Sequence, residues 1–161
     1  MFEKTAYTGS KQEQYQQLAT QLTSLITGET NQIANLSNAA ALLNVFLEDI
    51  NWVGFYLLDE VNENELVLGP FQGLPACIRI PLGKGVCGTA AIKKETLVVP
   101  NVHQFPGHIA CDAASQSEIV VPLIKDGQLL GVLDVDSPSL NRFDNEDALG
   151  LQKFVDIIYN S

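Results

Sequence analysis

The chain has 161 residues, of which 46% are hydrophobic and 17% charged, and it carries a formal net charge of −10 at pH 7. That length supports one domain with its own core, and the composition is that of a globular chain, not a disordered one. The acidity excludes a phosphate-backbone partner, so no nucleic acid is expected, and no apolar run approaches the roughly 20 residues of a membrane span.

Residues 1–10 are polar and lack the apolar stretch of a secretory signal. The expected compartment is therefore the cytoplasm, where thiols stay reduced. Three cysteines (Cys77, Cys87 and Cys111) make an odd set for structural disulfides. In a reducing compartment, catalytic, metal-binding or buried roles outrank stapling.

In chain order, Tyr15, Leu18, Leu22, Leu25 and Ile26 mark one face of a helix over 11–27, with Gly28 as its stop. Ile33, Leu36, Ala40, Leu43 and Leu47 mark a second helix over 31–49. Core cover is the expected role of both helices, with pairing across a homodimer axis the secondary one. Residues 51–58, NWVGFYLL, read as a buried strand with Trp52, Gly54 and Tyr56 on one face and Val53, Phe55 and Leu57 on the other. A polar turn leads to a strand at 65–69, and GPFQGLP should then break regular structure. CIRIP is expected to be a short strand carrying Cys77, with Arg79 on the same face.

Gly83 to Gly88 form a glycine-rich turn opening a short helix, with Cys87 in its first turn. Free N–H groups at such an N-terminus suit anions, and the dipole could favour a thiolate. The plainer reading of Cys87 is a small buried side chain under the loop. A strand at 96–99 precedes a long irregular stretch holding His103, His108 and Cys111. No second half of a zinc motif accompanies them, so no metal is expected, and loop bracing is the plain role of either histidine.

Residues 118–124 and 128–136 form a hairpin around Lys125-Asp126-Gly127. Asp134 and Asp136 sit two apart near its end and point the same way. Like charges this close on a buried strand need a cation, a proton or water; otherwise the strand end has already surfaced. A strict two-residue turn would set Glu118 opposite Val135, facing away from both aspartates. A one-residue register shift, at Gly127 or Pro122, is therefore expected. Asp144 to Asp147 cap a final helix whose apolar face is Leu151, Phe154, Val155 and Ile158. The whole reads as α+β: a largely antiparallel central sheet with flanking helices in a single domain over 1–161, with N-terminal helices at about 11–49 and a core at about 50–160.

GKGVCGTA, a loop, a hairpin and GVLDVDS followed by an acidic helix start resemble a GAF domain. NWVGFYLL, LVLGPFQG, GVCGTA, GHIACDAASQSEIV and GVLDVDS together resemble the free methionine-(R)-sulfoxide reductases, from about Asn51 to Phe154. The resemblance implies Cys111 as nucleophile, Cys77 as the main resolving thiol and Cys87 as an auxiliary thiol. It implies a pocket of Glu118, Asp134 and Asp136 for the free amino acid, lined by Trp52 and Tyr56, with Trp52 as the wall for the substrate's methyl group. Glu118 or Asp136 would protonate the sulfoxide oxygen. Thioredoxin would be the reductant and no cofactor would be required. The rival expectations are a non-enzymatic ligand-sensing or redox-sensing GAF module and a metal-binding protein using the three cysteines with a histidine.

Overall fold

The computed structural model describes residues 1–109 and 112–160. Its elements are α1 (Lys11–Ile26), α2 (Gln32–Phe46), β1 (Trp52–Leu58), β2 (Glu65–Gly73), β3 (Arg79–Pro81), α3 (Gly85–Lys93), β4 (Leu97–Val99), a 3₁₀ turn (Val102–Gln104), β5 (Ser117–Lys125), β6 (Gln128–Ser137) and α4 (Asn145–Asn160). Among the described residues the strands form one six-stranded sheet in the order β3-β2-β1-β6-β5-β4. Every neighbouring pair is antiparallel. This is the α+β architecture expected from the sequence.

Side-chain alternation along the strands divides the sheet into two buried faces. Val53, Phe55, Ile119, Val121, Leu123, Leu133 and Val135 meet α1, α2 and α4 in the larger core. Trp52, Tyr56, Val120 and Val132 meet Val86, Cys87, Ala90 and Ala91 of α3 on the other. The helices are set by their caps. Ser10 Oγ accepts from the Glu13 N–H, and Asn31 Oδ1 from the Ala34 N–H. Asp144 and Asp147 cap α4 reciprocally, each carboxylate accepting the other's backbone N–H at 3.0 Å. Asp147 is buried, and Tyr15 Oη donates to it at 2.6 Å while Lys11 Nζ lies at 2.8 Å. These bonds tie α1 to the start of α4. Among the described residues, no helix is long and apolar enough to cross a membrane.

Three sequence expectations are corrected. Ile33 is 71% exposed: it lies in the first turn of α2, which starts at Gln32 and buries its side chains only from Leu36 on. GPFQG does not break β2; the strand runs to Gly73, and a register irregularity between Gly54 and Tyr56 absorbs the Gly69-Pro70 step. Cys77 precedes β3, and Arg79 turns away to pair with Asp59 at 2.8 Å and Glu65 at 3.4 Å. The carboxylates of Asp59 and Glu65, not the cysteine's face, set the arginine's direction.

The expected register shift exists, at a different place. Asp126 and Gly127 form a two-residue turn, both at positive φ, with Lys125 opposite Gln128. The pairing then slips between Leu123 and Ile124, which oppose Gly131 and Leu129 and leave Leu130 as the extra residue. Gly131 lies at φ 158, and an added Cβ there would meet the Tyr56 carbonyl at 2.2 Å. From there on Glu118 opposes Asp136 and Val120 opposes Asp134.

Candidate active site

That slip assembles the site. β1, β6 and β5 present Trp52, Asp136 and Glu118 as one cross-strand row, and Gly54, Asp134 and Val120 as the next. All of these face α3. Glu118 and Asp134 are 6% and 5% exposed, so the strand has not surfaced at its end. Cys87 is buried above them, with Sγ 4.0 Å from Glu118 Oε2.

Three carboxyl groups in one buried place cannot all ionise. Burial pushes Glu118 well above the usual carboxylate range, and repulsion from Asp134 and Asp136 adds to it. Burial likewise raises Asp136 strongly, with Asp134 adding to the shift. Asp134 is also raised by burial, but its interactions with Glu118 and Cys87 pull it back. The arrangement keeps protons on Glu118 and Asp136 and places charge preferentially on Asp134. One of the Asp134 oxygens, Oδ1, has no hydrogen-bond partner among the described residues.

Cys87 does sit in the first turn of α3, but a helix dipole does not make it a thiolate. Burial raises its pKa first, and Asp134, Glu118 and Asp136 raise it further. Cys77 is half-buried and disulfide-bonded, whereas Cys87 is a free thiol. Cys111 lies outside the described residues.

The aromatics build a wall beside the acids. Trp52 stacks on Phe71 at 5.2 Å and on Tyr56 at 5.8 Å between ring centroids. Gly54 makes room for this: a Cβ there would lie 2.3 Å from Phe71 Cβ and 2.8 Å from Trp52 Cη2. Both polar tips face the segment that carries Cys77. Trp52 Nε1 donates to the Leu74 carbonyl at 3.1 Å, and Tyr56 Oη donates to the Cys77 carbonyl at 2.9 Å. The Leu68 N–H holds the Ile78 carbonyl at 2.9 Å. Burial raises the Tyr56 pKa, with Asp134 the next cause, so the phenol remains a donor.

Between these walls lies a cleft whose empty space, including its open mouth, is about 540 Å³. Trp52, Tyr56, Cys87, Glu118, Asp134 and Asp136 all line it. So do Lys84, Gly85 and Val86, at the start of α3, where no side chain caps the helix. Sequence reasoning missed Ile109, Asp112 and Ser115, which line it too. It also missed Asn51, whose Nδ2 donates to Asp112 Oδ2 at 2.9 Å and Ser115 Oγ at 3.1 Å. Asp112-Ala-Ala-Ser115 carried a signal, since an aspartate accepting the N–H two residues on makes an Asx turn, as the Asp112–Ala114 bond does. His108 lines the cleft and is lowered by burial and by His103, whose ring lies 6.5 Å away. Among the described residues, neither histidine joins a group able to hold a metal.

A family model for the GAF domain matches residues 17–160. The free methionine-R-sulfoxide reductase of Escherichia coli (strain K12) is 52% identical over 146 residues, spanning 91% of this chain and 87% of that protein. The protein of the same name from Saccharomyces cerevisiae is 48% identical over 157 residues, spanning 94% of this chain and 87% of its own. The X-ray structure of free methionine-R-sulfoxide reductase from Neisseria meningitidis in complex with its substrate superposes with a TM-score of 0.92 at 47% identity, covering 98% of this chain and 93% of that one.

Proposed function

Because the chain belongs to the free methionine-(R)-sulfoxide reductases, a family of GAF-domain proteins, we propose that it reduces free methionine-(R)-sulfoxide to methionine by thiol chemistry in this cleft. The observation that carries the reading is the set of buried Glu118 and Asp134 and half-buried Asp136 facing an aromatic wall. The acids have no cationic partner among the described ion pairs, and a substrate ammonium would supply one. The uncapped start of α3, also on the cleft, suits the substrate's carboxylate. A residue inside a protein has neither free group, which accounts for selection of the free amino acid. The R epimer follows the family.

A sulfoxide oxygen leaves only when protonated. Glu118 is the better acid: burial and two neighbouring carboxylates keep its proton on near neutral pH, and it lies beside both. Cys111 thiolate attacks the sulfur while the oxygen takes the proton; the hydroxyl then passes from the substrate's sulfur to the Cys111 sulfur, so the substrate S–O bond breaks, methionine departs and Cys111 is left as a sulfenic acid. Cys77 attacks the Cys111 sulfenic acid, releasing water and forming a disulfide. The disulfide state of Cys77 supports its role as resolving thiol, and its anchored carbonyl supports a fixed position. The burial and raised pKa of Cys87 assign it an auxiliary part. Thioredoxin then returns the disulfide to two thiols. Trp52 serves as the wall for the substrate's methyl group.

The test is a coupled assay with thioredoxin, its reductase and NADPH, run with each epimer on wild type and Cys111→Ser. NADPH loss with the R epimer alone, absent in the variant, is the expected result. Ligand binding without turnover in the wild type would overturn the reductase reading and establish a sensor.

A further inference from the structure

The floor of the cleft has the donor chemistry of a metal site as well as of an ammonium site. Cys87 Sγ and one carboxylate oxygen each from Glu118 and Asp134 lie within 4.8 Å of one another, and all three residues are buried. Asp134 Oδ1, on a side chain only 5% exposed, has no hydrogen-bond partner among the described residues. We propose that Cys87, Glu118 and Asp134 bind one thiophilic divalent cation, Zn²⁺ in kind, which occupies the place of the substrate's ammonium and inhibits the enzyme.

One sulfur and two oxygens favour zinc over magnesium or calcium, which take oxygen ligands. A tetrahedral zinc with bonds of about 2.3 Å to sulfur and 2.0 Å to oxygen sets those ligands about 3.5 Å apart. The Sγ–Oε2 separation of 4.0 Å is therefore close to a bound geometry. The three ligands come from α3, β5 and β6, which are packed elements and not loops. The cleft side of the cation stays open to water, the geometry of an accessible site. Each ligand releases to solvent any proton it holds when the cation binds. Lys84, at the rim, is the one lysine or arginine among the lining residues and forms no ion pair with these acids, so no lysine or arginine of the cleft competes with a bound cation. The inhibition, though not the binding, rests on the reading of the cleft as the amino-acid site.

Co²⁺ is the probe, because a thiolate ligand gives it a near-ultraviolet charge-transfer band. The full chain is reduced with a phosphine and titrated with Co²⁺. The expected result is a band saturating at one equivalent, displaced by Zn²⁺ and retained in the Cys77→Ser/Cys111→Ser double variant. The band is lost in Cys87→Ser. In Glu118→Gln and Asp134→Asn the apparent Kd rises at least tenfold, and these two variants report on the site even where Cys87→Ser does not fold. Added methionine raises the apparent Kd for Co²⁺, and Zn²⁺ inhibits turnover competitively with the sulfoxide. A band that survives Cys87→Ser, a band lost with Cys77 and Cys111, or no saturable binding would each overturn the proposal. An enzyme that turns over without binding Co²⁺ removes the metal site alone. Binding at Cys87 without turnover removes the reductase reading alone.

Discussion

Glu118→Gln separates a proton-holding acid from an ordinary carboxylate. Glu118 is 6% exposed and its pKa is raised, first by burial and then by Asp134 and Asp136. In the unfolded chain a glutamate titrates near about 4.3. A carboxyl raised on folding holds its proton in the native state over a pH range where the unfolded chain has lost it. The native state then binds more protons, so the stability linked to this group is complete below the unfolded pKa and falls as pH rises toward the folded one. One such proton makes stability fall by up to about 1.4 kcal/mol per pH unit. For a domain of this size 1 kcal/mol is worth roughly 2–4 °C in Tm. Glutamine is neutral throughout. The variant's Tm relative to wild type should therefore rise from pH 4.5 toward neutral by about 3–5 °C per unit, flattening above the folded pKa. Thermal denaturation followed by circular dichroism in matched buffers measures it. At neutral pH the same variant should lose most of its methionine formation, since an amide cannot protonate the sulfoxide oxygen. A Tm difference that stays flat, or falls with pH, would show Glu118 ionised in the folded protein and refute the assignment.

Two further predictions concern the wall of the cleft. Tyr56→Phe removes the bond to the Cys77 carbonyl, and losing a buried partner costs about 1–3 kcal/mol. Disulfide formation should slow about tenfold while the first methionine is released at the normal rate; sulfenic acid trapped by dimedone should accumulate, and an equal slowing of both steps would contradict the anchoring role. Gly54→Ala places a Cβ 2.3 Å from Phe71 Cβ and 2.8 Å from Trp52 Cη2. Overpacking of this kind costs about 1–3 kcal/mol, so Tm should fall, and tryptophan fluorescence should shift as the ring is displaced; an unchanged spectrum would show that the ring does not depend on this glycine.

Much of the fold was legible because burial on two faces leaves strong patterns. The parity of Trp52, Gly54 and Tyr56 against Val53 and Phe55 in β1 held residue for residue. The common face of the three acids was legible only as a conflict between turn length and charge placement. Its resolution at Leu130 was not, because a bulge inside an apolar run leaves no polar or proline mark. β2 was cut short because Gly69-Pro70 reads as a breaker, and only the irregular pairing with β1 shows how the ladder passes it. Asn51, Asp112 and Ser115 were missed because their bonds span about sixty residues of sequence. Cys87 was legible as buried, and burial is the first cause of its resistance to ionisation; the further contribution of three acids was not legible, because other strands bring them to it.

The bulge at Leu130 links fold stability to the site. With a two-residue turn and no bulge, Glu118 would oppose Val135 and point among the apolar side chains around Val53 and Phe55, away from Asp134 and Asp136. Ile119, Val121 and Leu123 would in turn face the cleft. An unmatched buried carboxylate costs several kcal/mol, and moving each large aliphatic chain out of a packed core costs about 1.5–3 kcal/mol. Against this, one residue left out of the ladder forfeits about one hydrogen bond, roughly 1 kcal/mol. The balance favours the bulge even without selection for activity. The same slip that completes the helix-side core delivers Glu118 to Asp134 and Asp136, so the acid cluster is held as firmly as the core itself.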